Sequence, residues 1–269
     1  MDKDFNFDNS KGLKDLFTEK DVVQSNVYKM DYNAFWHELG HLFGLILAEA
    51  NGTKLAIAEK IIIKSNCQKI TIKEDDFKPL DKTYPCNDFY NQQNKCYEKD
   101  DEQRLELKLN DTNRSLYYFS YLLFGGIFHL FIFIENPTLE HFEDCFADDE
   151  LNVDIMGIYG QAGNDWSKLR RLASLKQWKL VHLKNLRLDI YKFLKKNKIF
   201  EKLTPKLEEL YEELKNSQTI DGNNLIKSEE KLKEIFKDIP EFTSKYHNKI
   251  VKKYIKILKN REAENCIKE

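Results

Sequence analysis

Residues 34–50, AFWHELGHLFGLILAEA, are apolar on almost every face of a helix, yet they carry His37, Glu38 and His41. Asp31 or Asn33 can cap such a helix, and Asn51-Gly52 supplies a C-terminal stop. A helix that is apolar all round is a buried helix. This one carries two imidazoles and a carboxylate into the core, where unpartnered polar groups are costly. At about 15 apolar residues it is short for a membrane span. The rest of the chain must therefore wrap this segment.

The remaining pattern supplies the wrapping. Residues 54–63 (KLAIAEKIII) and 68–73 (QKITIK) alternate β-branched residues and read as strands. Residues 74–113 are polar and read as a surface insertion. An apolar helix follows over 114–135, stopped by Asn136-Pro137. From Trp166 onward the spacing is helical, with one stripe of Trp166, Leu169, Leu172 and Ala173 and another of Leu183, Leu186, Ile190 and Leu194. Thr204-Pro205, Asp221-Gly222 and Pro240 are expected to break the last third into separate helices. The expected fold is mainly α with a small β-sheet. Residues 1–184 are expected to form the first domain, and 185–269 a helical region packed on it.

Charge excludes several classes of partner. With 43 basic and 45 acidic residues the net charge is −2, so no global basic field recruits nucleic acid or an anionic membrane. Lysines are dense after Lys176, but glutamates and apolar residues interleave with them, as on solvated helix faces. The five cysteines are an odd number without a C-x-x-C pair, which fits a reducing compartment. The polar opening MDKDFNFDNSKG is not a secretory leader, so the expected location is cytoplasmic. A partner protein or a homo-oligomer stays open.

The chemistry lies in HELGH. Positions i and i+4 share a helix face, so His37 and His41 can turn imidazole nitrogens toward one ion. Glu38 lies about 100° round the helix, near that ion without having to bind it. There it can take a proton from a zinc-held water and return it to a leaving amine. Catalytic zinc takes three protein ligands and keeps one position open. A metzincin-type third histidine would stand six residues after His41, but that position is Leu47. The remaining candidates are His129, Glu135, Glu140, His141, Glu143 and Asp165.

HELGH, then FGGIFH in an apolar helix, then QAGNDWSKLRRLAS resembles the peptidase domain of FtsH-type zinc proteases in separated patches over residues 30 to 180. The resemblance implies a zincin-like fold, zinc on His37, His41 and Asp165, and Glu38 as the general base. Two departures stand out. Ile127, Phe128 and His129 replace the family's Arg and Glu after the Gly-Gly pair, and no G-x-x-x-x-G-K-[ST] motif of an ATPase module is present. HELGH is also similar to ImmA/IrrE-type metallopeptidases, and LEHFEDCFADDEL is loosely similar to their glutamate segment, which implies Glu140 or Glu143 as the third ligand.

Residues 116–134 run 19 positions without a formal charge and meet the length of a membrane span. A span there would separate His37 and His41 from every later ligand. Zinc–ligand bonds of about 2 Å forbid that, so the segment is expected to be a core helix. The expected function is a zinc metalloendopeptidase for peptides or unfolded segments, with 54–63 as an edge that pairs with extended substrate. The rival expectation is a non-catalytic protein whose fold a zinc ion holds together for partner binding.

Overall fold

The computed structural model of the chain describes residues 32–55, 57–64, 67–73, 112–134, 137–146, 162–175, 177–217 and 219–266. In chain order the elements are α1 (Tyr32–Ala50), β1 (Ile57–Lys64), β2 (Cys67–Lys73), α2 (Thr112–Phe133), α3 (Leu139–Cys145), α4 (Gly163–Leu175), α5 (Leu180–Lys196), α6 (Ile199–Leu214), β3 (Thr219–Asp221), α7 (Gly222–Asp238), α8 (Phe242–Tyr246), a π-helical turn (His247–Val251) and α9 (Lys252–Cys266). The chain is mainly helical with a small sheet, as the periodicities predict. Of the expected insertion over 74–113, only Thr112 and Asn113 fall among the described residues, and they open α2.

The centre of the molecule is the α1–α2 pair. Its helices run antiparallel, with Gly40 against Phe124 and Gly44 against Tyr121. A β-carbon on Gly40 would lie 2.3 Å from the Phe124 carbonyl oxygen, and one on Gly44 would lie 2.7 Å from the Tyr121 Cα. Backbone meets backbone here, so only glycine fits. The α1 helix stops as expected: Gly52 takes a φ of +76°, and Thr53 N–H closes on the Ala48 carbonyl at 2.9 Å.

By length and composition α2 could cross a membrane, but 78% of its most apolar stretch is buried inside the protein. Its covering comes from later helices. Phe131 stacks on Phe200 of α6 at 4.1 Å, Tyr246 donates to Ser120 Oγ at 2.6 Å, and Tyr117 pairs with His247 Nδ1 at 2.9 Å. On the α1 side, Phe43 packs against Phe236 and Phe242 at 5.5 and 6.0 Å. One core of buried residues extends from Ala34 to Leu258, across the expected boundary at 184.

Two expectations fail here. The strand over 54–63 is not an edge: β1 is the middle strand of the order β2-β1-β3. The pairs Ile61↔Ile70 and Ile61↔Ile220 occupy both of its sides. The second partner, β3, comes from the helical last third, where a three-residue strand leaves too short a pattern to read. The break at Thr204-Pro205 is also absent, since Pro205 lies inside α6. Pro205 faces solvent, where water can satisfy the helix carbonyl it leaves unpaired, while Leu203, Leu207 and Leu210 hold the other face in the core. The chain turns earlier, at Lys198, which adopts a left-handed φ of 55°.

Candidate metal centre

The polar cluster inside α1 acquires its fourth member from far along the chain. Asp165 Oδ2 lies 3.0 Å from His37 Nε2 and 3.2 Å from His41 Nε2, and the two imidazole nitrogens are 3.1 Å apart. Glu38 stands beside them; its nearest carboxylate oxygen and the two histidine nitrogens all lie within 4.8 Å of one another. All four residues are buried, each less than a tenth exposed.

Glycines make the approach possible. Gly125 of α2 lies directly under the imidazoles: a β-carbon there would be 2.6 Å from His41 Cε1 and 2.9 Å from His37 Nε2. Gly126, facing another way, admits the segment that delivers Asp165. A β-carbon on it would meet Ala162 Cβ at 2.3 Å and the Phe146 ring at 2.8 Å. Ala162 N–H donates to the Cys145 carbonyl at 2.8 Å, and Cys145 Sγ reaches the Gly126 carbonyl at 3.4 Å. Trp166 N–H closes back on Ala162, so α4 starts against α2 and its third residue, Asp165, lands on the histidines. The stripe of Trp166, Leu169, Leu172 and Ala173 is buried as expected and anchors that helix.

Neighbouring groups orient the donors. The Tyr121 carbonyl can only accept, so His41 Nδ1–H donates to it at 2.8 Å and leaves Nε2 with a lone pair aimed at the cluster. Lys168 Nζ holds the other carboxylate oxygen of Asp165 at 3.3 Å. Burial pushes the Asp165 carboxyl up, but Lys168, His41 and His37 outweigh it and hold it well below the ordinary carboxylate range. Burial opposes charging His41, but Asp165 and Glu38 overcome it and raise its pKa. Burial also raises the Glu38 carboxyl, against the pull of both histidines, and Glu38 Oε2 has no hydrogen-bond partner among the described residues.

These donors fit a zinc ion. Ligand atoms about 2.0–2.1 Å from a tetrahedral centre lie roughly 3.3–3.4 Å apart, and the three here are only slightly closer. Three electron-pair donors packed that tightly require a cation or a shared proton between them.

The other candidate ligands go elsewhere. Glu140 is exposed in the first turn of α3. His141 closes a capping box with Thr138, its Nδ1 accepting from the Thr138 N–H. Glu143 pairs with Arg187. His129 is buried and stacks on Phe133 at 4.7 Å, and Glu135 lies outside the described residues. Sequence reasoning missed Tyr121, whose contribution is a backbone carbonyl that no side-chain pattern reveals. It also missed Lys168, though a lysine three residues after a helical aspartate is a readable pair. No family model, characterised protein or solved structure matches this chain.

Proposed function

We propose that this protein is a zinc metalloendopeptidase with a zincin-like, FtsH-type site, cleaving peptides or unfolded segments. The observation that carries the reading is the convergence of Asp165 Oδ2 on His37 Nε2, 128 residues earlier in the chain, at 3.0 Å and on His41 Nε2 at 3.2 Å. His37, His41 and Asp165 would hold the ion, which supplies Lewis acidity and an acidified water when bound.

The chain's own groups do the rest. Tyr121 fixes the His41 tautomer through its carbonyl, and Lys168 fixes the Asp165 carboxylate. Glu38, adjacent to the ligands and unpaired at Oε2 among the described residues, takes the proton of the attacking water on its carboxylate and delivers it to the leaving amine nitrogen. Burial, by raising its pKa, makes it a better proton acceptor than an exposed carboxylate. The ImmA/IrrE-type alternative loses support because Glu140 is exposed and Glu143 is committed to Arg187.

The test is metal analysis of the purified protein, followed by a broad peptide library with Glu38→Gln as the control. One zinc per chain in both proteins, with cleavage only by the parent, is expected. Zinc in both with no cleavage by either would leave a structural metal protein; no zinc in the parent would remove the reading altogether.

A further inference from the structure

Asp165 divides its two carboxylate oxygens between different partners. Oδ2 faces His37 Nε2 and His41 Nε2 at 3.0 and 3.2 Å, while Oδ1 accepts from Lys168 Nζ at 3.3 Å. Among the described residues Lys168 is the only hydrogen-bond partner of Oδ1, and Asp165 the only ion-pair partner of Lys168. The two residues stand one turn apart on α4, so the helix itself sets their pairing. Buried Trp166, Leu169 and Leu172 hold that turn in place. The lysine side chain is 46% exposed and that of the aspartate 9%, so an ammonium reaches in from solvent to a carboxylate that water scarcely touches.

This division governs how the aspartate can hold an ion. A carboxylate beside a metal dication binds through one oxygen or through both. Bound through both, Asp165 would take a position beyond the three that His37 Nε2, His41 Nε2 and Oδ2 supply. A catalytic zinc keeps that position for water or substrate. An ammonium on Oδ1 opposes the second mode, because it occupies that oxygen and repels a second cation drawn to it.

We propose that Lys168 is a positioning residue that restricts Asp165 to ligation through Oδ2 alone and so keeps the fourth zinc position open. Its role rests on the peptidase reading, since a closed structural site has no open position to protect. Without Lys168, Oδ1 becomes a nearly buried carboxylate oxygen with no donor, which is costly, and turning it onto the ion relieves that cost.

Lys168→Met keeps most of the stem and removes the ammonium at an exposed position, where the fold has little to lose. In crystals of the zinc-loaded parent, Oδ1 is expected to stay on Lys168 and off the ion. In zinc-loaded Lys168→Met, both oxygens of Asp165 are expected within bonding distance of zinc. With one zinc per chain retained, kcat for peptide cleavage should fall on the order of 10–100-fold. Lys168→Arg, which returns a charged N–H donor, should restore ligation through one oxygen and most of kcat. Ligation through Oδ2 alone in Lys168→Met, or through both oxygens in an active parent, would overturn the role of Lys168 and leave the peptidase reading intact. A zinc-loaded parent that cleaves no peptide would end both.

Discussion

Gly125 touches His41 so closely that a β-carbon on it would lie 2.6 Å from the imidazole Cε1 and 2.7 Å from Nε2. The α2 helix thus sets the floor of the site, and the absence of a side chain at one position keeps the imidazoles in place. Gly125→Ala should rotate or push back both rings while leaving the backbone packing at Gly40 intact. Zinc affinity is expected to fall on the order of 10–100-fold, measured by competition with a chromogenic chelator. Gly40→Ala should do the opposite. Its β-carbon meets backbone and not a ring, so stability falls by about 1–3 kcal/mol or more while any folded protein keeps its zinc. Parental zinc affinity in Gly125→Ala would show that the rings tolerate the displacement.

Among the described residues, Asp165 is the only acidic third-ligand candidate that the fold brings to the histidines. Asp165→Asn removes the charge that balances His41 and Lys168, and offers the ion a weaker amide oxygen. Zinc per chain after dialysis should drop well below that of the parent. Glu140→Gln, on an exposed turn, should leave it unchanged. The reverse pattern would return the ImmA/IrrE-type assignment.

Arg187 and Glu143 form an asymmetric pair. The Arg187 side chain is 2% exposed and lies over the rings of Trp166, Phe142 and Phe146 at 4.4, 4.9 and 5.0 Å, whereas that of Glu143 is 52% exposed. Removing Glu143 strands a buried guanidinium whose Nε already has no partner among the described residues; removing Arg187 releases a carboxylate that water can solvate. Glu143→Gln should therefore destabilise by about 3 kcal/mol, and Arg187→Met by less, in urea unfolding. Both should keep their zinc. An Arg187→Met variant less stable than Glu143→Gln would mean that the ring contacts outweigh the ion pair.

What was legible in the sequence follows from how local each signal is. His37, Glu38 and His41 are contiguous on one helix, so their shared face is fixed by the 3.6-residue period. Asp165 was readable because a glycine-containing turn and an apolar stripe mark the start of its helix. The core role of α2 is legible because a ligand beyond residue 134 must meet His37 and His41 on one side of any membrane. By contrast, β3 is three residues long and shows no alternation, so nothing marked β1 as central. Pro205 carries the same local signal as a helix break, and its tolerance depends on which helix face meets solvent, which the local sequence does not show. Backbone acceptors such as the Tyr121 carbonyl have no residue signature at all.

Cys145 reports on the seam between α2 and α3. Its thiol is fully buried and bonded to the Gly126 carbonyl, and burial pushes its pKa up to about 12. At pH 8 the thiolate fraction is then about one in ten thousand, because ionisation lies roughly four units higher. Native protein treated with iodoacetamide should leave the Cys145 peptide unmodified in mass spectrometry, and denaturant should expose it. Raising the pH within the folded range should change little, as the reactive form accumulates only near pH 12. Rapid labelling in the native state at pH 8 would contradict the packing of Phe146, Gly126 and Ala162 around the path to Asp165.

On the proposed peptidase reading, the depth of the site bears on what it would cut. His37, Glu38, His41 and Asp165 are each less than a tenth exposed, and the strand next to the active helix in sequence already has partners on both sides. A substrate must therefore thread a flexible segment to the histidines, and it cannot simply add a strand to β1. For a stably folded protein the competent form is the unfolded one, and global unfolding costs roughly 5–15 kcal/mol. At the lower end of that range, fewer than about one molecule in a thousand is available at any moment, since each 1.4 kcal/mol is a factor of ten. A casein-like flexible chain should accordingly be cleaved at least ~10³-fold faster than a stable folded domain carrying the same cleavable sequence in its core. Denaturing that domain first should close most of the gap. Similar rates on the folded and unfolded forms, without an added partner or ATP, would mean that the site opens far more widely than this packing allows.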